Sequence, residues 1–311
     1  MTAPPRNPLE ARPALVGDPG LNLALSRISF PATPTPATKT DLTLRRREWL
    51  LDVMEAQRAL SEKATAIPRV RDLSSQDFLD SYYAPGRPLV IERAIEHWPA
   101  LKRWTPDYLR RKIGDAPVEF QGGRAANPDY EIDGYSHKKV LPFGAYLDLI
   151  TAGSGNDAYV TANNSAANRA ALAPLERDLG FLDSYLTRAH GMMWIGPGGT
   201  FTPLHFDLTN NLIAQIVGRK RVILLPPSES ARLHHGRHVF SAVRDLEDEA
   251  RLALYPSARE ARRFVVDLGP GDLLYSPIGW WHQVRARDFS VTITYTNFRW
   301  PNLGFETFPK D

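Results

Sequence analysis

His205 and Asp207, in the segment Thr202-Pro-Leu-His-Phe-Asp, are two residues apart, so on an extended strand both side chains point to one face. A second imidazole stands far downstream, in Trp280-Trp-His282. Two imidazoles and one carboxylate form the ligand set that holds a non-haem Fe(II) on one side and leaves positions open for a co-substrate and oxygen. The chemistry to expect is oxygenation. A lone His-x-Asp arises often by chance, but here Lys220, Asn211 and Asn297 accompany it. The chain contains no cysteine. Disulfides, thiolate metal sites and cysteine nucleophiles are excluded, and any metal must sit on His, Asp or Glu. A site without soft ligands also suits iron better than copper(I).

These side chains need strands to position them, and the second half of the sequence supplies strands. From Met192 onward, Met192-Met-Trp-Ile-Gly, Leu212–Val217, Arg221–Leu225, Phe264–Leu268, Asp272–Ser276 and Phe289–Phe298 read as short β runs. Gly196-Pro-Gly-Gly, Gly218-Arg-Lys, Pro226-Pro and Gly269-Pro-Gly-Asp are the turns between them. Many short, evenly punctuated strands predict a mainly β fold, a jelly roll or double-stranded β-helix, with helices flanking it. Upstream, Pro88–Arg93, Pro117–Gln121 and Ala158–Ala162 read as further strands. Helices are expected from Ser74 to Tyr82, from Thr105 onward with Pro106 at its first position, and over Phe143–Ile150. No repeat of fixed period is present.

The N-terminal part has a different texture. Residues 1–40 hold eight of the 26 prolines, which predicts an extended arm, with Leu21–Ser26 a candidate edge strand. Residues 41–66 follow as an amphipathic helix, free of proline and glycine as far as Ala64, on which Trp49, Val53, Ala56 and Leu60 recur at helical spacing. Its stripe is expected to cover the domain's own core, a dimer seam being the other reading. The catalytic domain is expected to fill residues 67–311. One such domain is the economical account of 311 residues.

Composition excludes little. Hydrophobic residues are 43% and charged residues 23%, as in an ordinary globular protein. A net charge of +3 with a pI near 9.1 permits nucleic-acid binding without arguing for it. No run approaches the ~20 apolar residues of a membrane span, and no leader pattern opens the chain, so a cytoplasmic protein is expected.

Taken in order, these motifs carry a family resemblance. After Thr202-Pro-Leu-His-Phe-Asp come Asn211, Gln215-Ile-Val-Gly-Arg-Lys220-Arg, Leu225-Pro-Pro and Gly269-Pro-Gly-Asp-Leu-Leu-Tyr-Ser-Pro. Gly279-Trp-Trp-His282 and Thr292-Ile-Thr-Tyr-Thr-Asn297-Phe close the series. The sequence resembles the JmjC/cupin-like Fe(II)- and 2-oxoglutarate-dependent hydroxylases, most of all the asparaginyl hydroxylase known as factor inhibiting HIF. The resemblance is strong from about Gly191 to Trp300, looser from Ile67 to His190, and does not reach residues 1–40.

The resemblance implies His205, Asp207 and His282 as iron ligands and therefore as the catalytic centre. It implies Fe(II), 2-oxoglutarate and O2 as cofactor and co-substrates, with release of succinate and CO2. Lys220, expected on the strand after the His-x-Asp strand, would meet the distal carboxylate of 2-oxoglutarate, with Thr202 and Tyr159 as hydroxyl donors beside it. Asn211 and Asn297 would contact the co-substrate near iron. Singly, each residue has a plainer reading: His205 and Asp207 as a buried hydrogen-bonded pair, Lys220 as an exposed strand lysine. Trp280 and Trp281 read as packing residues, and His234, His235 and His238 as a solvated loop.

Where that asparaginyl hydroxylase grips its substrate amide with an arginine–glutamine pair, this sequence has Val239-Phe240 before Ser241-Ala-Val243. The expectation is a protein or peptide substrate that is not asparagine held in that pose, with Tyr130 and Tyr135 as candidate polar contacts. Small-molecule hydroxylation, N-methyl-lysine or -arginine demethylation, and a catalytically silent cupin-like binding protein are the competing readings. Asp311 follows soon after the last expected strand, and a counterpart of the helices through which that enzyme dimerises is not expected. A homodimer would use another surface, such as the 41–64 helix.

Overall fold

The structure is a computed structural model that describes residues 39–61, 64–161, 165–302 and 304–309. The chain divides into two units, Met1–Thr65 and Ala66–Asp311. The proline-rich arm and its candidate edge strand fall outside the described residues. In the first unit a helix spans Lys39–Arg58. It stops short of Ala64 because its last turn tightens: Leu60 and Ser61 donate to carbonyls three residues back, those of Gln57 and Arg58. The expected single stripe is not present. Trp49, Leu50, Leu51, Val53 and Met54 spread over about 200° of the helix circumference, wider than one stripe, and Trp49 is 44% and Leu60 52% exposed. No described helix is long and apolar enough to cross a membrane.

The second unit is built on strands, in chain order β1 (Arg69–Val70), β2 (Leu89–Ile91), β3 (Pro117–Gly122), β4 (Lys138–Pro142), β5 (Ala158–Tyr159), β6 (Met192–Gly196) and β7 (Phe201–Phe206). Then follow β8 (Asn211–Val217), β9 (Lys220–Leu225), β10 (Phe264–Leu268), β11 (Leu273–Ser276), β12 (Trp281–Ala286) and β13 (Ser290–Tyr295). A six-stranded sheet runs β1-β2-β11-β8-β13-β6, a four-stranded sheet runs β10-β9-β12-β7, and β4-β3-β5 form a small third sheet. From β6 onward the chain crosses repeatedly between the two larger sheets, with antiparallel pairing throughout. This is the double-stranded β-helix that the strand pattern predicts.

Helices flank the barrel. Phe143–Thr151 packs Phe143, Tyr146, Leu147 and Ile150, all buried, into a core shared with Trp98, Leu109, Ile195 and Ile293. The expected caps form. Ser74 Oγ accepts from Asp77 N at 3.0 Å and Thr105 Oγ1 from Tyr108 N at 3.2 Å. Three strands escape the sequence pattern, β1, β4 and β12. β1 is two residues long, β4 is mostly exposed, and β12, Trp-His-Gln-Val-Arg-Ala, offers no apolar run. Gly218, at φ +71°, makes the turn between β8 and β9; a Cβ there would collide with the Phe289 carbonyl oxygen. That turn puts Lys220 at the head of β9, two strands beyond β7 rather than one.

Candidate metal centre

Cross-strand register assembles the three metal-ligating side chains. β12 pairs antiparallel with β7, and His282 lies directly opposite His205, their ring centroids 4.2 Å apart. Asp207 follows immediately after β7. Its Oδ1 lies 3.7 Å from His205 Nε2 and its Oδ2 3.7 Å from His282 Nε2. All three donor atoms fall within 4.8 Å of one another, the one such metal-competent cluster among the described residues.

A bulge completes the arrangement. On β12 His282 and Val284 are two residues apart, but their partners on β7, His205 and Thr202, are three apart. The extra residue in β7 flips the alternation, so Thr202 and His205 face the same pocket while Leu204 stays in the core.

Local backbone fixes each imidazole. His205 Nδ1 lies 2.7 Å from the Pro203 carbonyl and His282 Nδ1 3.0 Å from that of Trp280, in each case the carbonyl two residues earlier. A proton on Nδ1 satisfies that oxygen and leaves the Nε2 lone pair facing Asp207, the tautomer a metal needs. Burial, and next to it the His282 ring, lowers the pKa of His205 from the ordinary imidazole value. Its neutral, ligating form is therefore favoured. Asn211 Nδ2 donates to Asp207 Oδ2 at 3.2 Å, holding the carboxylate in place. Two neutral imidazoles and one oriented carboxylate fit a divalent iron.

The pocket behind these ligands is a cavity of about 70 Å³ whose polar lining includes Tyr159, Thr202, Asn211, Lys220, Thr292 and Thr294. Lys220 is 4% exposed. Its Nζ donates to the Tyr159 hydroxyl at 3.0 Å, and among the described residues no carboxylate pairs with it. Desolvation pushes its pKa down to about 7. A buried cation without a counter-ion is costly, and an anionic ligand entering this pocket would relieve it. Burial raises the Tyr159 pKa well above the ordinary phenol value, so Tyr159 stays a neutral hydroxyl, able to donate to an anion. The donor set fits a small dicarboxylate bound between the metal and Lys220.

Asn297 does not join this group. It lies beyond the end of β13 and out of phase with Thr292 and Thr294, so it lines a separate cleft with Trp98, Tyr295 and His190. Its amide donates to the Thr187 carbonyl. Thr292, Thr294 and Trp194 take places in the pocket that sequence reading did not assign. The period of two in Thr292-Ile-Thr-Tyr was the available signal. Trp194 Nε1 donates to Thr294 Oγ1 at 3.1 Å.

Phe240 sits beside His205, the two forming an isolated β-bridge with ring centroids 5.7 Å apart. Tyr130 is not free for substrate: it is 5% exposed and its hydroxyl donates to the Phe201 carbonyl. Tyr135 is 87% exposed. Trp280 and Trp281 are packing residues, 9% and 1% exposed, and His234, His235 and His238 lie exposed outside the metal-competent cluster.

The sequence pattern of the cupin-like domain matches residues 75–300. Lysine-specific demethylase 8 of Xenopus tropicalis is 29% identical over 251 residues, covering 75% of this chain and 53% of that protein. Jumonji C domain-containing protein 5 of Drosophila melanogaster is 29% identical over 245 residues, covering 74% of this chain and 59% of that protein. The human tRNA wybutosine-synthesizing protein 5 is 26% identical over 260 residues, 78% of this chain and 80% of that protein. The chain thus spans between half and three fifths of the first two relatives.

Proposed function

The chain belongs to the cupin-like domain family, and from that premise we propose that it is an Fe(II)- and 2-oxoglutarate-dependent oxygenase that hydroxylates an unactivated C–H of a protein or peptide side chain. The observation that carries the reading is Lys220, a buried cation with no carboxylate partner among the described residues, in one pocket with His205, Asp207 and His282. A binding protein that had lost catalysis would have no physical need for that buried charge.

In this reading His205, Asp207 and His282 hold the iron, and Asn211 keeps the Asp207 carboxylate turned toward it. Lys220, Tyr159 and Thr202 receive the distal carboxylate of 2-oxoglutarate, Lys220 as a point charge and the hydroxyls as donors that supply direction. When bound, the iron and the co-substrate supply the oxidation: 2-oxoglutarate and O2 give succinate and CO2, and the second oxygen atom enters a substrate C–H. The protein's share is placement and exclusion of water. Phe240 and Trp194 place apolar surface beside the ligands, which favours hydrocarbon of the substrate there.

Lys220 gives the reading a pH signature. With its pKa lowered to about 7 before the co-substrate binds, the lysine is charged below that pH and neutral above it. A bound carboxylate raises that pKa, so binding takes up a proton at higher pH. The dissociation constant of 2-oxoglutarate is therefore expected to be flat below pH 7 and to rise by up to about tenfold per pH unit above it. Calorimetric titrations of the metal-loaded protein between pH 6 and 9 measure this; a constant independent of pH across that range contradicts it.

The resemblance to the asparaginyl hydroxylase supports hydroxylation, while Val239 and Phe240 argue against the same grip on asparagine. The Xenopus tropicalis relative named as a lysine-specific demethylase supports a second outcome from the same oxidation, in which a hydroxylated N-methyl group leaves as formaldehyde. Screening peptides, methylated peptides and free metabolites by mass spectrometry separates these. Gain of one oxygen on a residue other than asparagine is the expected result. Gain only on asparagine, loss of methyl groups only, or turnover of free metabolites only overturns it.

A further inference from the structure

Behind the pocket lies a second buried cation. Arg124 is 1% exposed, and a guanidinium at that depth needs its charge and donors satisfied. Its Nη2 donates at 2.9 Å to both Glu131 Oε1 and the Phe201 carbonyl, and its Nη1 donates to Gln121 Oε1. The guanidinium lies 4.1 Å from the Tyr130 ring centroid and 5.2 Å from that of Tyr159. Tyr130 donates to the same Phe201 carbonyl at 3.0 Å. The Glu131 side chain is 14% exposed, and burial raises its pKa against the opposing pull of Arg124.

Two parts of the pocket meet at Arg124. Phe201 is the first residue of β7 and directly precedes Thr202. Tyr159, against whose ring Arg124 lies, accepts a hydrogen bond from the Lys220 ammonium, so two cations lie near its ring, Arg124 at 5.2 Å and Lys220 at 5.6 Å from the centroid. An ion pair at this depth contributes little net stability over apolar residues of the same size. Its contribution is geometric.

We infer that Arg124, held by Glu131, is a positioning residue for 2-oxoglutarate: it backs the Tyr159 ring and pins the start of β7, so that Tyr159, Thr202 and Lys220 converge on one carboxylate. The inference rests on the 2-oxoglutarate reading of the pocket. A lysine at 124 would keep the charge but lose the planar fork that reaches Glu131, Gln121 and Phe201 together.

The test is calorimetric binding of 2-oxoglutarate to the full chain loaded with Mn(II) in place of iron, with Mn(II) affinity measured separately. Wild type, Arg124→Lys and Glu131→Gln are compared, each shown to be folded by circular dichroism. Both variants are expected to bind 2-oxoglutarate about tenfold or more weakly, with Mn(II) affinity unchanged. Unchanged 2-oxoglutarate affinity, or a matching loss of Mn(II) affinity, overturns the inference, because a general structural role would weaken both sites. Glu131→Gln preserves side-chain size and alone suffices if Arg124→Lys does not fold. Failure of the wild type to bind 2-oxoglutarate would instead remove the reading of the pocket on which the inference rests.

Discussion

Asp207→Ala is expected to lose metal binding by more than about 100-fold, since loss of an outer partner alone costs about 10–100-fold, and with it all turnover of 2-oxoglutarate. Asp207 supplies the one carboxylate lying 3.7 Å from both imidazole Nε2 atoms, and it alone brings negative charge to the ion. Without it the cluster is two neutral imidazoles. The fold should survive, because Asp207 lies just past the end of β7 with its side chain 26% exposed, outside the hydrophobic core. Titration with Mn(II), a circular dichroism spectrum and a succinate assay check the three parts of this outcome. Full 2-oxoglutarate turnover by the alanine variant would sink the assignment of the triad. Because the imidazoles must be neutral and the carboxylate ionised, metal affinity should also fall in acid.

Lys220→Ala is expected to weaken 2-oxoglutarate binding by roughly 3–5 kcal/mol, the cost of half-breaking a buried ion pair, or about two to four orders of magnitude in the dissociation constant. The metal should still bind, since Lys220 does not contact the triad. Stability should move the other way. In the absence of co-substrate Lys220 is a desolvated cation partnered by a phenol, so Lys220→Met, apolar and of similar length, should unfold at a higher temperature than the ligand-free wild type. Loss of affinity with gain of stability distinguishes a ligand-binding cation from a structural one. An unchanged dissociation constant for 2-oxoglutarate contradicts the assignment.

The barrel was legible because its strands are short runs rich in apolar and β-branched residues and its turns carry Gly and Pro; β10 spans Phe264–Leu268 as the pattern predicts. The spacing of His205 and Asp207 was legible because residues two apart on a strand share a face. Tyr159 joins Lys220 across 61 residues of sequence, and the family resemblance, rather than any local pattern, pointed to it. Parity explains where reading failed. The bulge in β7 that turns Thr202 toward the pocket is marked only by Pro203, which an edge strand without a bulge accepts equally well, and Asn297 was carried beyond the strand that would have aimed it inward. Tyr130 read as a loop aromatic free for substrate, since nothing in the sequence shows that Phe201 takes its hydroxyl. Arg124 and Glu131 were invisible for a similar reason: two charges seven residues apart in a polar stretch look solvated until the fold buries them. The helix at Lys39–Arg58 misled in the opposite direction, its periodic subset hiding further apolar residues, Leu50, Leu51 and Met54, outside the stripe.

The most direct test of the central claim is an equilibrium titration of 2-oxoglutarate into anaerobic protein, with and without Fe(II), repeated on Lys220→Ala. One 2-oxoglutarate per chain is predicted, tight with the metal, weaker without it, and weakened by at least two orders of magnitude in the variant. Absence of binding to the iron-loaded wild type, or binding that neither the metal nor Lys220 affects, would contradict the account.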